Sequence, residues 1–143
     1  GAELRDQHVP GWRFQLAQFA NVAADEQHAA VAATIETWFA AWNTTDAAAR
    51  ARLVAACCRD DVTMQDRYSC LAGTTDLLDH LVMCQRFQPG LTICAAGAVR
   101  QCQGTAVVDW RTTDQGGAER GRGCNVFRLA ADGRIAGVVG LWS

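Results

Sequence analysis

The run Glu119-Arg-Gly-Arg-Gly-Cys-Asn-Val-Phe-Arg-Leu-Ala130 changes character at every second residue. Side chains of an extended chain point to opposite faces in turn. Gly121, Gly123, Asn125, Phe127 and Leu129 therefore share one face, and Arg120, Arg122, Cys124, Val126 and Arg128 share the other. Three arginines mark the second face as the wet one. Asn125 then points inward with Phe127 and Leu129, and the two glycines before it leave unfilled space at that end of the strand.

A strand of this length with one dry face needs partners. Further strands are predicted over residues 91–100, 102–113 and 134–142, with Asp114-Gln-Gly-Gly117 and Ala131-Asp-Gly133 as hairpin turns, because glycine supplies positive φ. Upstream the period changes to that of a helix. From Asp25 onward Val31, Ile35, Trp38 and Trp42 form an apolar stripe with Glu36 opposite. This helix ends near Asn43-Thr-Thr-Asp46, where Thr44, Thr45 or Asp46 caps a second helix running through Leu53 and Val54 to about Cys58. Gly73-Thr-Thr-Asp76 opens a third, capped by a threonine, with Leu77, Leu78, Leu81 and Val82 as its buried side; Pro89-Gly90 closes it with a turn. Helices first and a meander of strands after predict an α+β domain over residues 25–143, three helices on one face of a curved antiparallel sheet. Residues 1–24, with Trp12, Phe14, Leu16 and Phe19, are expected to form an arm or short helix packed on the body or on a partner chain.

Between the second and third helices lies Cys58-Arg-Asp-Asp-Val-Thr-Met-Gln-Asp66, a short strand with Val62, Met64 and Asp66 on one face. An ionised carboxylate in an apolar interior costs several kcal/mol in effect unless it is paired. The chain has no lysine, and its arginines map mostly to outer faces. Asp66 and Asn125 are thus separately predicted to enter one greasy interior, and a partly buried carboxylate there suits a general base near neutral pH. The competing readings are structural: Asp66 ends its strand and caps a surface turn, and Asn125 satisfies a buried backbone group.

Composition narrows the classes of function. Of 143 residues half are hydrophobic and 20% charged, as in a globular domain with one core. Thirteen basic and 15 acidic residues give a net charge of −2, and no basic run is present, which argues against a nucleic-acid partner. No apolar stretch approaches the roughly 18–20 residues of a membrane span, and the first residues lack a secretory pattern. Seven cysteines, none in a Cys-x-x-Cys pair, read as free thiols packed as small hydrophobes in a reducing cytoplasm. His80 and Cys84 share a helix face without a third or fourth ligand, so no metal is expected. No residue cluster requires a cofactor.

Five segments together resemble the NTF2-like superfamily, in its SnoaL-like and ketosteroid isomerase-like branch. They are Trp38-Phe-Ala-Ala-Trp-Asn-Thr-Thr-Asp46, Asp60-Asp-Val-Thr-Met-Gln-Asp66, Gly73-Thr74, Asn125-Val-Phe-Arg-Leu129 and Asp132-Gly-Arg-Ile135. The resemblance covers about residues 27–142. It implies a cone-shaped, cystatin-like α+β fold around a deep apolar pocket, usually in a homodimer. It also implies that Asp66 stands where the isomerases keep their proton-shuttling carboxylate, Asn125 where they keep a protonated aspartic acid facing the oxyanion, and Trp38 where they keep the oxyanion tyrosine. An amide donates without needing a raised pKa, and an indole N–H is longer and differently aimed than a phenol. Tyr68, the one tyrosine, follows Asp66 on the same strand face and could supply a hydroxyl; His80 could act as an acid. Trp42, Met64, Trp110, Phe127 and Trp142, with Trp38, would line the cavity for a flat ligand. Asp109 and Arg111, two apart on one strand, loosely match the Asp/Arg pairs of the limonene epoxide hydrolase branch.

These readings lead to an expected cofactor-free enzyme that removes a proton next to a carbonyl in an apolar small molecule, as an isomerase, cyclase or dehydratase. A non-catalytic pocket for an apolar molecule and a dimeric scaffold whose cavity is filled by its own Trp and Met side chains are the alternatives.

Overall fold

The computed structural model describes residues 26–143. The arm expected over residues 1–24 lies outside them. The chain divides into two units, Gly1–Ala30 and Val31–Ser143, and the architecture below is that of the second. Three helices are followed or interrupted by seven strands. Helix α1 occupies residues 26–43, α2 Ala47–Cys57 and α3 Thr74–Phe87. The strands are β1 (Cys58–Gln65), β2 (Cys70–Ala72), β3 (Thr92–Ala95), β4 (Arg100–Cys102), β5 (Thr105–Thr113), β6 (Glu119–Leu129) and β7 (Ile135–Trp142). No described helix is long and apolar enough to cross a membrane.

The segment Trp42-Asn-Thr-Thr-Asp46 is a splice of caps. Asp46 accepts from the Ala49 amide at 2.8 Å and starts α2. The last carbonyls of α1, which have no helical partner, are met by side chains from elsewhere. The buried Arg50 donates to the carbonyls of Thr44 and Thr45, each at 3.1 Å, and to Gln85 Oε1 at 2.6 Å. Gln85 Nε2 in turn reaches the carbonyls of Trp42 and Thr44, at 2.8 and 2.9 Å. Asn43 extends the sheet by pairing both its amide ends with the backbone of Ile93. At α3 the expected threonine cap is absent. Gly73, at φ 91°, occupies the cap position without a side chain to offer, and Asp76 accepts from the Ala72 amide instead.

The sheet runs β2-β1-β7-β6-β5-β3, with β4 pairing on β5 as well. It is mixed rather than wholly antiparallel: β1 pairs in parallel with β7, Met64 opposite Val138. Hairpins force antiparallel neighbours, but β1 reaches β7 only after α3 and the strands between have intervened, so no short turn sets its direction. The strand expected over 91–100 forms only as Thr92–Ala95, ending where the Ala96 amide bonds the Asp109 carbonyl at 2.7 Å, and Arg100–Cys102 is a separate strand on the same edge of β5 that straddles the boundary expected at residue 101. Gln103-Gly104 turns β4 into β5 with both residues at positive φ, 44° and 84°.

One face of the sheet carries the core. Ile35, Trp38 and Phe39 of α1, Val54 and Cys57 of α2, and Leu77 and Leu81 of α3 pack on Val62, Met64, Ala106, Val108, Phe127, Ile135 and Val138. Val82, expected on the buried side of α3, is exposed. One residue past Leu81, it is turned about 100° around the helix from the inner stripe that Leu77 and Leu81 already fill.

Candidate functional site

The helix layer does not cover the whole inner face. Toward the ends of β5, β6 and β7 it leaves a cavity of about 370 Å³, within the usual range for a small-molecule site. Trp42 and Asn43 of α1 and His80, Met83, Cys84 and Phe87 of α3 form one side; Met64, Asp66, Trp110, Thr112, Asn125, Gly140 and Trp142 form the sheet side. Among the described residues no arginine lines it.

Asp66 follows directly on β1, half-buried. It both faces the cavity and caps a turn, so the two readings of this residue are compatible. Its Oδ1 accepts the Tyr68 amide at 2.8 Å, and its own amide bonds the Ser69 carbonyl at 3.0 Å. That turn holds one carboxylate oxygen and leaves Oδ2 without a protein donor among the described residues. Asp66 takes part in no ion pair there either.

Asn125 is buried, 5% exposed, on the inner face of β6. Its Oδ1 accepts the indole N–H of Trp110 at 3.1 Å. This fixes the amide, and Nδ2 donates to no protein group among the described residues. Sheet register explains the contact: Trp110 lies opposite Gly123 and Val108 opposite Asn125, so Trp110 and Asn125 are diagonal neighbours, a spacing that aromatic side chains bridge. The indole crosses the bare backbone of Gly123, where an added Cβ would lie 2.5 Å from Trp110 Cζ2. The empty space expected beside the glycines of β6 is therefore taken by Trp110 at Gly123, and by Thr112 and Trp142 at Gly121.

On the other side of β6, Asn125 pairs with Gly140, and Gly140 follows the stretch of β7 that pairs with the end of β1. A Cβ at Gly140 would lie 3.3 Å from Asn125 Oδ1 and 3.3 Å from Asp66 Cβ. Asp66 and Asn125 thus meet over one glycine, those atoms no farther apart than twice that distance.

The remaining expected residues separate into lining and backing. Trp42, Met64 and Trp110 line the cavity. Trp38 and Phe127 do not; they pack edge to face, centroids 5.7 Å apart, fully buried behind it. Among the described residues the buried Trp38 Nε1, expected where the isomerases keep their tyrosine, has no hydrogen-bond partner. Tyr68 is 74% exposed and leans on Trp142 at the rim. His80 stands edge-on to Trp42, with Nε2 3.4 Å from Cys84 Sγ. Burial, and after it the charge of Asp66, pushes the Cys84 thiol up from its ordinary range, which places Cys84 within electrostatic reach of Asp66. Asp109 and Arg111 lie exposed on the outer face of β5, away from the cavity. The thiols are all free as expected, but Cys70 and Cys102 are exposed, not packed. Among the described residues no group of three or more His, Cys, Asp or Glu could hold a metal ion. Arg50, Gln85 and Gly140 went unremarked in the sequence; an arginine shortly after an Asn-Thr-Thr turn, and a glycine amid a valine-rich strand, were the available signals.

Residues 35–138 match the model of the SnoaL-like domain. A SnoaL-like family protein from Agrobacterium tumefaciens, named by inference as an isomerase, is 25% identical with a TM-score of 0.75 over 82% of this chain and 98% of its own. A protein from Jannaschia sp. named by inference as a SnoaL-like polyketide cyclase has a TM-score of 0.67 at 15% identity, over 81% of this chain and 87% of its own. An NTF2-like protein of unknown function from an Exiguobacterium species gives 0.62 at 20%, over 77% and 98%. The last two share the fold. No protein of curated function matches the chain.

Proposed function

We propose that this chain, which belongs to the SnoaL-like domain family, is a cofactor-free enzyme that removes a proton next to a carbonyl in an apolar small molecule. The observation that carries this reading is the meeting of Asp66 and Asn125 over Gly140 on the wall of an aromatic cavity that no described arginine lines. Asp66 Oδ2 takes the proton from carbon. The electron pair moves to the carbonyl oxygen, where the Asn125 amide donates to the developing charge. Return of the proton to a different carbon is isomerisation, attack of the enolate on a second carbonyl is cyclisation, and expulsion of a β-hydroxyl is dehydration. His80, which lines the cavity from the facing helix, gives a proton to the leaving or accepting oxygen. Tyr68 contributes at the rim. The isomerase name of the Agrobacterium relative agrees with the first of these outcomes.

The test is deuterium uptake from heavy water into small cyclic ketones, wild type beside Asp66→Asn. The variant is expected to lose about 100-fold or more. Equal uptake by the two proteins overturns the reading, and ligand binding that survives in a variant with no exchange to lose would favour a plain binding protein. The reading also includes a homodimer, supported by Val139 and Leu141, which are exposed on the outer face of β7. Sedimentation at equilibrium tests it.

A further inference from the structure

We infer that Trp110 sets the polarity of Asn125, so that the cavity selects ligands presenting a hydrogen-bond acceptor, a ketone or enolate-type oxygen, at that wall. The inference rests on the reading of Asn125 just given. A carboxamide is ambivalent: turned one way it donates, turned the other it accepts. Here the choice is made by the protein. The indole of Trp110 is a donor only, and it is itself buried, 4% exposed. Its N–H meets Asn125 Oδ1 at 3.1 Å. Turning the amide over would set N–H against N–H in a buried place, leaving two donors unsatisfied. The carbonyl end is therefore turned to Trp110, and the donor end, Nδ2, is the one left toward a ligand.

The indole has little freedom to release this grip. Gly123 supplies the floor it lies on, with no room for a Cβ, and Trp142 stands edge-on to it with centroids 5.1 Å apart. Trp110 touches the reacting atoms nowhere in this scheme. It is a positioning residue, and its consequence is selectivity. Asp66, an acceptor, and Nδ2, a donor, then present opposite demands on the same wall, which suits a carbonyl flanked by a removable proton.

The experiment uses two neutral bicyclic probes of one size, 1-indanone, which only accepts, and indole, which only donates. Affinities are measured by ligand-observed NMR titration for wild type, Trp110→Phe, Asn125→Ala and the double variant. The affinity for 1-indanone relative to indole is expected to fall about tenfold in each single variant and no further in the double, the size of one neutral hydrogen bond. A ligand-free measurement guards against poor folding of Trp110→Phe. In Asn125→Ala the indole N–H resonance of Trp110 should move upfield while that of Trp142 stays. If Trp110→Phe keeps the wild-type ratio while Asn125→Ala loses it, or the resonance does not move, the positioning role is overturned and Asn125 as donor stands. If neither variant changes the ratio, or neither probe binds at about 10 mM, the donor wall itself is wrong. Deuterium exchange by Asp66 is scored apart from both.

Discussion

Asp66, just past the end of β1, and Asn125 of β6 lie on either side of β7, and they approach each other because the intervening residue is Gly140, where a Cβ would lie 3.3 Å from an atom of each. That distance is tighter than ordinary van der Waals contact, and the atoms it meets belong to the two side chains on which the proposed chemistry depends. Gly140→Ala is therefore expected to fold, with a loss of about 1 kcal/mol from local overpacking, and to lower ketone deuterium exchange by about tenfold or more, since small misplacements of reacting groups are costly. Urea unfolding beside the exchange assay separates the two effects. Exchange at the wild-type rate would mean that the spacing of Asp66 and Asn125 does not matter.

Cys84 reports on Asp66 from across the cavity. Its thiol is held up first by burial and then by the carboxylate's charge. At a given pH near 9 less of it is thiolate, and the thiolate is the form that alkylates. Iodoacetamide should label the exposed Cys70 and Cys102 before Cys84 in the wild type. In Asp66→Asn one of the two causes is gone, so labelling of Cys84 should speed up several-fold while that of Cys70 and Cys102 does not. Because the raised value favours the thiol in the folded state, this group costs stability as pH climbs above the ordinary cysteine value of 9.0, and Asp66→Asn should reduce that loss. Peptide mapping of the labelled protein decides; unchanged Cys84 labelling would separate the two groups.

The sequence's period of two tells which way Val62, Met64, Asn125 and Phe127 point, and the structure places all four on the inner side. It could not tell how deep along that face each one sits. Phe127 and Asn125 are two residues apart on one strand, yet one is sealed under Trp38 and the other borders the cavity. The difference is made by where the helices stop, a tertiary fact with no local signature. The same holds for Trp38, which lies one turn before Trp42 on α1 and so falls behind the cavity wall. The bond from Trp110 to Asn125 needed the register of β5 against β6, and the parallel pairing of β1 with β7 needed the whole sheet order. Gly123 opposite Trp110 makes sense only once that register is known.

Arg50 ties the turn between α1 and α2 to Gln85 of α3 beside the cavity. It is 5% exposed and donates to Thr44, Thr45 and Gln85, while Gln85 lines the cavity next to Cys84. Removing the guanidinium leaves the Thr45 carbonyl and Gln85 Oε1 without these donors in a half-buried place. Arg50→Met, which keeps most of the apolar stem, is expected to cost about 2–4 kcal/mol in urea unfolding. Gln85→Met, which spares the Arg50 bonds to the backbone, should cost less. A loss under about 0.5 kcal/mol for Arg50→Met would show that water replaces the arginine freely.

Asp114 ties the hairpin between β5 and β6, and through it the register that pairs Trp110 with Gly123. Its Oδ1 accepts from the amides of Gly116 and Ala118, each at 3.0 Å, and its Oδ2 from Arg120 at 2.7 Å. The Ala118 amide above all, then Arg120, lowers the carboxyl below its ordinary 3.8. The ionised form is thus the one the folded state prefers. Its contribution is present above the unfolded value and disappears as pH falls through the lowered folded one. Asp114→Asn keeps an oxygen for the two amides but loses the charge that Arg120 meets. Its urea midpoint should lie below that of the wild type at about pH 7, and the gap should narrow as pH falls below the ordinary carboxyl value of 3.8 and through the lowered folded one. A gap of constant size from neutral to strongly acidic pH would mean that shape, and not the carboxylate's charge, holds this turn.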